Sequence, residues 1–386
     1  MKLSLRHIVS IKHRNISFLK PFYGNMRYYK ITNADGKSWL LPKRNMQIGL
    51  MLYQPSSKKG KLLKRLFPLL SWIPLIPLIR KLLHVEFCNF PFDKRIDDYL
   101  HDVFKSSYLE YAIFMGTPCK NQKATIQISC NGKILGYCKV TKNKEIYKLF
   151  ETEKQTLDYL NSVRISNVPV CLDCSAIDNL YFTFVQTTFK TLNSSVTHKL
   201  SEKHYRFVED LATKTKVRID YKKSDFGKMI QSLSLHLSDF EYSDRNSLKK
   251  AIKIINEFYK DKKQFSFYHA DFTPWNTFEE KGKLFVFDFE YSSRSCPSYM
   301  DLFHFFGQVG ILENKKSVNE LYKEYLQNVP TLLKYTAQPH ILYISYLLYV
   351  FTFYCQMFNW HFPKEDIGYK SWIGQLKLIL KQQYES

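Results

Sequence analysis

Two neighbouring segments of the chain combine carboxylate and amide side chains with an aromatic, apolar background. Residues 267–276 read FYHADFTPWN, and residues 284–290 read LFVFDFE. Asp271 can orient or deprotonate an attacking hydroxyl, and the side-chain oxygens of Asn276 and Asp288 are ligands that magnesium prefers. A proton acceptor together with metal ligands is the minimum set for phosphoryl transfer, which depends on positioning and on neutralisation of charge.

Apolar and aromatic residues flank these candidates, which predicts that two strands position them. Residues 265–268 form the first predicted strand and residues 284–289 the second, as a hairpin-like pair. His269 would brace the loop between them, and it joins Asp271 as a catalytic candidate. Along an extended second strand, Asp288 and Glu290 would share one face about 7 Å apart, at a rise of roughly 3.3 Å per residue. Glu290 is therefore a third candidate metal ligand.

The two segments together form the pattern H-x-D-x-x-x-x-N followed by an apolar strand that ends in Asp. This pattern resembles the aminoglycoside phosphotransferase and choline kinase superfamily. The resemblance implies a protein-kinase-like fold, ATP and Mg²⁺ as cofactors, and a hydroxyl as the acceptor. Residues 288–293, DFEYSS, are similar to choline and ethanolamine kinases, whereas residues 270–275, ADFTPW, look more like bacterial aminoglycoside phosphotransferases. The acceptor therefore stays open.

The resemblance also implies an upstream lobe with a lysine on a strand and a glutamate on the helix that follows. The strand pattern of residues 134–140 places Lys139 on an apolar face, where a cation needs a partner. Apolar residues recur with a 3.6-residue period over residues 145–160, and Glu153 falls within that stripe. Glu153 is the preferred partner, and Glu151, on the more polar side, is the alternative. A salt bridge that serves structure alone is a further interpretation.

Two more segments occupy positions that the resemblance assigns to nucleotide contacts. Residues 114–124 separate two strand-like runs at the place of the phosphate loop, and they include Gly116 and Lys123. Neither G-x-G-x-x-G nor a Walker A sequence occurs there, so an ordinary hairpin turn is the alternative. The predicted strand 180–186 is followed by a polar segment that resembles the connection between kinase lobes. Gln186 is a candidate nucleotide contact by its position alone.

The chain has 386 residues and 45% hydrophobic content, enough for a substantial core. From the resemblance we expect an α+β, bilobal protein-kinase-like fold with a strand-rich N-lobe, a helical C-lobe and an N-terminal extension. The predicted boundaries are 1–105 for a basic extension, 106–190 for the nucleotide-binding N-lobe and 191–386 for the C-lobe with the catalytic loop. The pattern of residues 93–104 is helical. Residues 341–358 carry no charge and predict a core helix, with a membrane span as the alternative.

Cysteine usage and the N-terminal residues bear on the cellular compartment. The eight cysteines are scattered, and the single C-x-x-C motif, residues 171–174, has no second pair to complete a zinc site. Residues 1–15 lack the apolar region, about 7 to 15 residues long, of a secretory signal. We therefore expect a protein of the reducing cytoplasm.

The formal net charge of +22 and a pI near 9.4 indicate an anionic partner or surface. Within residues 58–81, basic clusters flank the uncharged run 66–79. That run is too short to cross a bilayer, which needs about 20 residues. A connector buried against the N-lobe is the preferred interpretation, and an anchor on the anionic inner membrane surface is the alternative. Basic residues spread over the whole chain, without a recognised module, argue against nucleic acid.

The sequence thus predicts an ATP- and Mg²⁺-dependent phosphotransferase for a small-molecule, sugar, glycan-like or lipid-linked acceptor. Aromatic residues such as Tyr354 and Trp360 suggest a cage for a quaternary amine, as in a choline or ethanolamine kinase, whereas the basic surface suggests an anionic acceptor. Asp301 resembles the third acid of the family, which implies that it holds the catalytic loop through hydrogen bonds. The Ala-Pro-Glu motif of protein kinases is absent, which argues against a protein substrate. A catalytically silent pseudokinase is the other alternative.

Overall fold

The computed structural model describes residues 26–33, 36–55, 58–70, 85–116, 122–262 and 264–384. A strand-rich N-terminal half is followed by a half that is mainly helical, and this order confirms the predicted bilobal α+β fold.

One antiparallel sheet of eight strands forms the N-lobe, in the order β3-β1-β2-β4-β5-β6-β8-β7. Its strands are β1 (Met26–Thr32), β2 (Ser38–Pro42), β3 (Val85–Phe90), β4 (Glu110–Met115), β5 (Ala124–Cys130), β6 (Lys133–Thr141), β7 (Cys171–Ile177) and β8 (Tyr181–Thr187). Strand β2 pairs with β4, so the sheet continues across the predicted boundary at residue 105. The extension and the N-lobe therefore share one sheet, and the boundary itself stays a prediction.

In the described part of this region, four helices accompany the sheet: α1 (Met46–Gly49), α2 (Lys58–Leu70), α3 (Lys94–Phe104) and α4 (Lys144–Ser162). Helix α3 begins after Asp93, whose side chain accepts a hydrogen bond from the Arg95 N–H, and it confirms the helical pattern predicted there. Strands β1–β3 and helices α1 and α2 enclose a small apolar core that includes Trp39 and Phe67. The N-terminal extension is thus a folded addition to one edge of the lobe.

Seven helices build most of the C-lobe: α5 (Glu202–Lys214), α6 (Asp225–Leu235), α7 (Tyr242–Tyr259), α8 (Met300–Gln308), α9 (Val318–Leu332), α10 (Pro339–Met357) and α11 (Ile367–Tyr384). Helix α10 packs against α6, α7, α8 and α11, and it is buried on nearly every side because it is apolar around its whole circumference. This placement confirms the predicted core helix. Within the described parts of the chain, no helix combines the length and apolarity needed to cross a membrane.

The short strands of the C-lobe correct one prediction. They are β9 (Val217–Arg218), β10 (Gln264–Tyr268), β11 (Thr277–Glu280), β12 (Lys283–Val286) and β13 (Ser293–Cys296). Strand β12 pairs with β11, while β10 pairs with β9 and β13, so the predicted hairpin between residues 265–268 and 284–289 was wrong. The reason is local: Lys281 and Gly282 both have positive φ, which suits a two-residue turn that closes β11 onto β12.

Candidate active site

The predicted catalytic loop folds back on itself between Asp271 and Asn276. Ala270 adopts a left-handed conformation with φ 66°, and residues 274–276 form one turn of 3₁₀ helix. The Asn276 side-chain N–H donates to the Asp271 carbonyl oxygen at 3.0 Å and to its carboxylate at 2.8 Å. Because the amide nitrogen is engaged in this way, the side-chain oxygen of Asn276 is the atom that suits a metal ion.

His269 contacts this loop and the segment after β12 through its two ring nitrogens. Its Nε2 lies 3.1 Å from the Phe287 carbonyl oxygen, and its Nδ1 lies 3.2 Å from the backbone nitrogen of Asp271. Burial lowers the pKa of the imidazole to about 4, so the ring is neutral at pH 7. A neutral ring donates through Nε2 and accepts through Nδ1, which satisfies both contacts. These contacts fit the expected bracing of the loop by His269, and its catalytic role stays a prediction.

Helix α8 supports the loop from the other side. The Asp301 carboxylate accepts hydrogen bonds from the backbone N–H groups of His269 at 3.0 Å and Ala270 at 3.3 Å. These are the contacts that the resemblance implied for Asp301. Burial raises the pKa of its carboxyl to about 7 even though both hydrogen bonds oppose the rise. One turn later on the same helix, His304 Nε2 lies 3.5 Å from the Asp271 carboxylate. The sequence analysis did not predict this contact.

A buried lysine joins carboxylates from both lobes. Lys139, on β6, places its Nζ 2.5 Å from Glu153 on α4 and 2.5 Å from Asp288, which follows β12. Glu290 lies 3.6 Å from the same nitrogen. The structure thus brings the preferred pair Lys139 and Glu153 together, whereas the alternative partner, Glu151, is exposed.

Lys123, at the entry to β5, forms an ion pair with Glu290. We call Lys123, Lys139, Glu153, Asp288 and Glu290 the Lys139 cluster. Each of its three acids places a carboxylate oxygen within 4.8 Å of the others. The strand argument for this convergence was wrong, because β12 ends at Val286 and Asp288 has a φ of 70°. The left-handed turn at Asp288, rather than strand alternation, brings the acids together.

Charge balance within the Lys139 cluster follows from burial and from proximity. Burial raises the pKa of Glu153 to about 7, against the attraction of Lys139. Burial also favours the neutral form of Asp288, but Lys139 and Lys123 outweigh it and hold the pKa of that carboxyl below its usual range. Burial likewise opposes the charge on Lys139, yet the surrounding carboxylates raise the pKa of its ammonium well above the ordinary value. Asp288 is therefore ionised at pH 7 and suited to a cation.

A cavity of about 460 Å³ lies next to these groups. Lys139 and Asp288 line it together with residues 186–190, which we call the hinge, and with an aromatic wall of Phe278 and Phe285. Its volume is typical of small-molecule sites. The structure thus places Gln186 in the cavity wall. It also places Lys190 there, a residue that the sequence analysis missed because nothing in its neighbours signals burial.

The phosphate-loop prediction falls partly outside the described residues, since residues 117–121 are not among them. Gly116 ends the described part of this segment, directly after β4, and its carbonyl oxygen accepts a hydrogen bond from the Gln122 side chain at 2.8 Å. Gly116 and Lys123 therefore lie on either side of residues 117–121 in the chain. Their contact with a nucleotide stays a prediction.

Comparison with known proteins identifies the fold. No protein-family model matches the chain, and no curated protein matches its sequence. A thermostable mutant of aminoglycoside phosphotransferase APH(4)-Ia, in a ternary complex with AMP-PNP and hygromycin B, matches with a TM-score of 0.51 and 11% identity, covering 75% of this chain and 99% of that chain. A second mutant in the same ternary complex matches with a TM-score of 0.50 at the same identity and coverage. The chain has the bilobal, protein-kinase-like fold of the aminoglycoside phosphotransferases.

Proposed function

We propose that the chain is a phosphotransferase that uses ATP and Mg²⁺ to phosphorylate a hydroxyl of a small molecule, a sugar, or a glycan- or lipid-linked acceptor. The observation that carries this proposal is the contact of Lys139 with Glu153 and Asp288, next to the paired Asp271 and Asn276. These are the parts that a kinase template requires on the two sides of a nucleotide. The AMP-PNP and hygromycin B bound in the two matching structures support a nucleotide and a small-molecule acceptor.

In the proposed reaction, Asp271 orients the acceptor hydroxyl and takes its proton as the oxygen bonds to the γ-phosphorus. The bond from that phosphorus to the β–γ bridging oxygen breaks, and ADP leaves with the electron pair. Lys139 holds the phosphates, and Glu153 keeps the lysine in place. The side-chain oxygens of Asn276, Asp288 and Glu290 form an all-oxygen donor set that fits Mg²⁺, which would neutralise charge on the phosphates.

The test is Mg²⁺-dependent ATP consumption against a panel of sugars, aminoglycosides, choline, ethanolamine and glycolipids. The purified protein is compared with Asp271→Asn and with Asp210→Asn, a matched change at an exposed carboxylate on α5. Turnover that requires one acceptor and Asp271, but not Asp210, would support the proposal. Nucleotide binding without turnover on any acceptor would favour a pseudokinase, and turnover that survives Asp271→Asn would contradict the mechanism.

The packing of Tyr354 and Trp360 argues against an aromatic cage for a quaternary amine. Tyr354 is buried and packs against Phe362 and Trp372, while Trp360 stacks on His236 with ring centroids 3.8 Å apart. Both rings of the expected cage thus serve core and surface packing, with no mutual contact among the described residues. A choline- or ethanolamine-type activity stays the alternative, and the same acceptor panel tests it.

A peripheral membrane contact through residues 58–81, of which the structure describes 58–70, is a separate part of the proposal, as is a location in the cytoplasm. On helix α2, Leu63 and Phe67 are buried, while Leu62 is 57% and Leu66 is 39% exposed next to exposed Lys61 and Arg65. Residues 1–84 contain 17 Lys and Arg and a single Asp, which favours an anionic surface. Residues 71–84, including most of the predicted anchor, lie outside the described part of the chain.

Sedimentation with phosphatidylcholine vesicles, with and without phosphatidylglycerol, tests this contact. We expect Lys61→Glu and Arg65→Glu to weaken binding at least fivefold each, since a basic residue near an anionic surface contributes about 1 kcal/mol. Leu62→Ser with Leu66→Ser should also weaken binding, whereas Leu235→Ser, at a 76% exposed leucine on α6, should not. If the leucine changes left vesicle binding unaltered and the protein bound nucleic acid instead, the membrane contact would be contradicted.

A further inference from the structure

His304 is a buried side chain next to Asp271 that the proposed reaction does not use. It lies on α8, it is 2% exposed, and it does not line the cavity. Its Nε2 is 3.5 Å from the Asp271 carboxylate, and neither ring nitrogen has a hydrogen-bond partner among the described residues. A buried polar group without a partner is rare in native structures and calls for an explanation.

Helix α8 brings two polar side chains to the predicted catalytic loop. Asp301 and His304 lie three residues apart, so they are neighbours on one face of the helix. Asp301 accepts hydrogen bonds from the backbone N–H groups of His269 and Ala270, and so holds the main chain that leads into the loop. His304 faces the side chain of Asp271 instead. One helix therefore contacts both the backbone and the carboxylate of the loop.

The Asp271 carboxylate has a different neighbour at each of its oxygens. The Asn276 side-chain nitrogen lies 2.8 Å from Oδ2, whereas His304 Nε2 lies 3.5 Å from Oδ1. The imidazolium form and one of the two neutral tautomers of histidine carry a proton on Nε2, so His304 can donate in either charge state. A donor at each oxygen fixes the rotation of a carboxylate, and with it the direction of the lone pairs that stay free.

The packing around His304 holds its imidazole in place. Tyr346, on α10, packs against the ring at an angle of 89°, with ring centroids 6.0 Å apart. The two helices approach closely here, since a Cβ added to Gly307 would lie 3.1 Å from the Tyr346 hydroxyl oxygen. A distance of 3.5 Å is long for a hydrogen bond, but contacts in catalytic sites are often long before substrate binds and tighten in the complex.

We propose that His304 is a positioning residue that donates from Nε2 to Asp271 Oδ1 in the complex with nucleotide and acceptor, an assignment that rests on the proposed function. Asn276 then holds one oxygen and His304 the other, so the carboxylate keeps a lone pair directed at the acceptor hydroxyl. Correct orientation of the reacting groups raises the rate of the chemical step. Nucleotide affinity should not depend on His304, because the residue lies outside the cavity wall.

The experiment measures kcat and KM for Mg²⁺-dependent phosphorylation of the acceptor with the highest turnover in the panel above. The proteins are the full chain, His304→Phe, His304→Gln and His340→Phe, a matched change at a histidine that contacts Tyr325 rather than the loop. We expect His304→Phe to lower kcat about tenfold or more, as for loss of a hydrogen bond to a charged group, with the KM for ATP unchanged. His304→Gln keeps a side-chain N–H donor and should restore most of the kcat, and His340→Phe should change neither constant.

A double-mutant cycle separates positioning from a general loss of structure. Combined with Asp271→Asn, His304→Phe should lower the remaining rate little further, because the carboxylate that it positions is gone. The inference is overturned if His304→Phe keeps the full kcat, if its loss is equal in both backgrounds, or if His304→Gln restores nothing.

Two controls keep the result interpretable. If the unmodified protein phosphorylates no acceptor, the proposed function fails and this inference fails with it, whereas turnover that does not depend on His304 overturns the inference alone. Thermal melting checks folding. Should His304→Phe unfold the protein, His304→Met, which also lacks a side-chain N–H donor, takes its place in the same measurements.

Discussion

The buried lysines at the two ends of the cavity, Lys139 and Lys190, have opposite surroundings. At the Lys139 cluster, two lysines face three acids, and Lys139 is within 2.5 Å of two of them. At the hinge, the described residues give the Lys190 ammonium one hydrogen-bond acceptor, the Met51 carbonyl oxygen, and the face of the Phe278 ring 6.0 Å away. A buried ion needs an opposite charge and further hydrogen bonds to offset its lost hydration. The cluster meets that need with its own acids, whereas the described residues offer the Lys190 ammonium no opposite charge.

This difference separates a lysine that acidic side chains hold in place from a lysine that is buried without a balancing charge among the described residues. Partners within the chain keep Lys139, Glu153 and Asp288 in place before any nucleotide binds, and such preorganisation favours catalysis. The ammonium of Lys190 instead carries a buried charge that the described residues do not balance, and such a charge lowers stability. The same substitution, Lys to Met, should therefore have opposite consequences at the two ends.

The largest expected effect comes from Lys139→Met. Removing the shared cation leaves the buried Glu153 without its ion-pair partner and leaves Glu290 with Lys123 alone, beside the partly exposed Asp288. Breaking a buried pair in this way lowers the free energy of unfolding by about 3–5 kcal/mol. Denaturant unfolding at pH 7 measures it, and a variant as stable as the unmodified protein would show that the cluster is not held by this ion pair.

A smaller effect is expected from pH acting on His269, which supports the loop between the two ends. Its folded-state pKa of about 4 lies below the ordinary value near 6.5, so the unfolded chain binds more protons between these values. The stabilising contribution is present above pH 6.5 and is lost as the pH falls towards 4, to a total on the order of 3 kcal/mol. His269→Gln should flatten this slope by about one proton in denaturant unfolding at several pH values. An unchanged slope would mean that the imidazole is charged when buried.

A still smaller loss of stability is expected for Lys123→Met. Lys123 is partly exposed, and Glu290 keeps Lys139 at 3.6 Å when it is removed. We expect a loss of about 1 kcal/mol in the free energy of unfolding, as for a partly exposed ion pair. A loss as large as that of Lys139→Met would show that Glu290 depends chiefly on Lys123.

The smallest effect, and the one of opposite sign, is expected for Lys190→Met in the absence of ligand. The change removes a buried ammonium and keeps a side chain of similar length, so the melting temperature should stay the same or rise. Differential scanning calorimetry of Lys190→Met and Lys199→Met provides the comparison. A marked fall for Lys190→Met alone would mean that the bond to Met51 stabilises the extension more than the buried charge destabilises it.

Local periodicity explains how much of the site could be predicted from the sequence. A period of two placed Lys139 on the inner face of its strand, and a period of 3.6 placed Glu153 in the buried stripe of its helix. The spacing from His269 to Asn276 likewise describes a loop whose contacts lie within a few residues. Each of these features depends on near neighbours in the chain, so the sequence by itself determined them.

Tertiary structure decided what depends on distant partners. Strand β12 paired with its immediate neighbour rather than with β10, and the left-handed turn at Asp288 brought the acids together. The extension joined the sheet through β2, which no pattern within residues 1–105 reveals. Lys190 became buried because the Met51 carbonyl, 139 residues earlier, lies against it. Burial of a charge depends on which distant segments pack around it, and a periodic pattern carries no record of those segments.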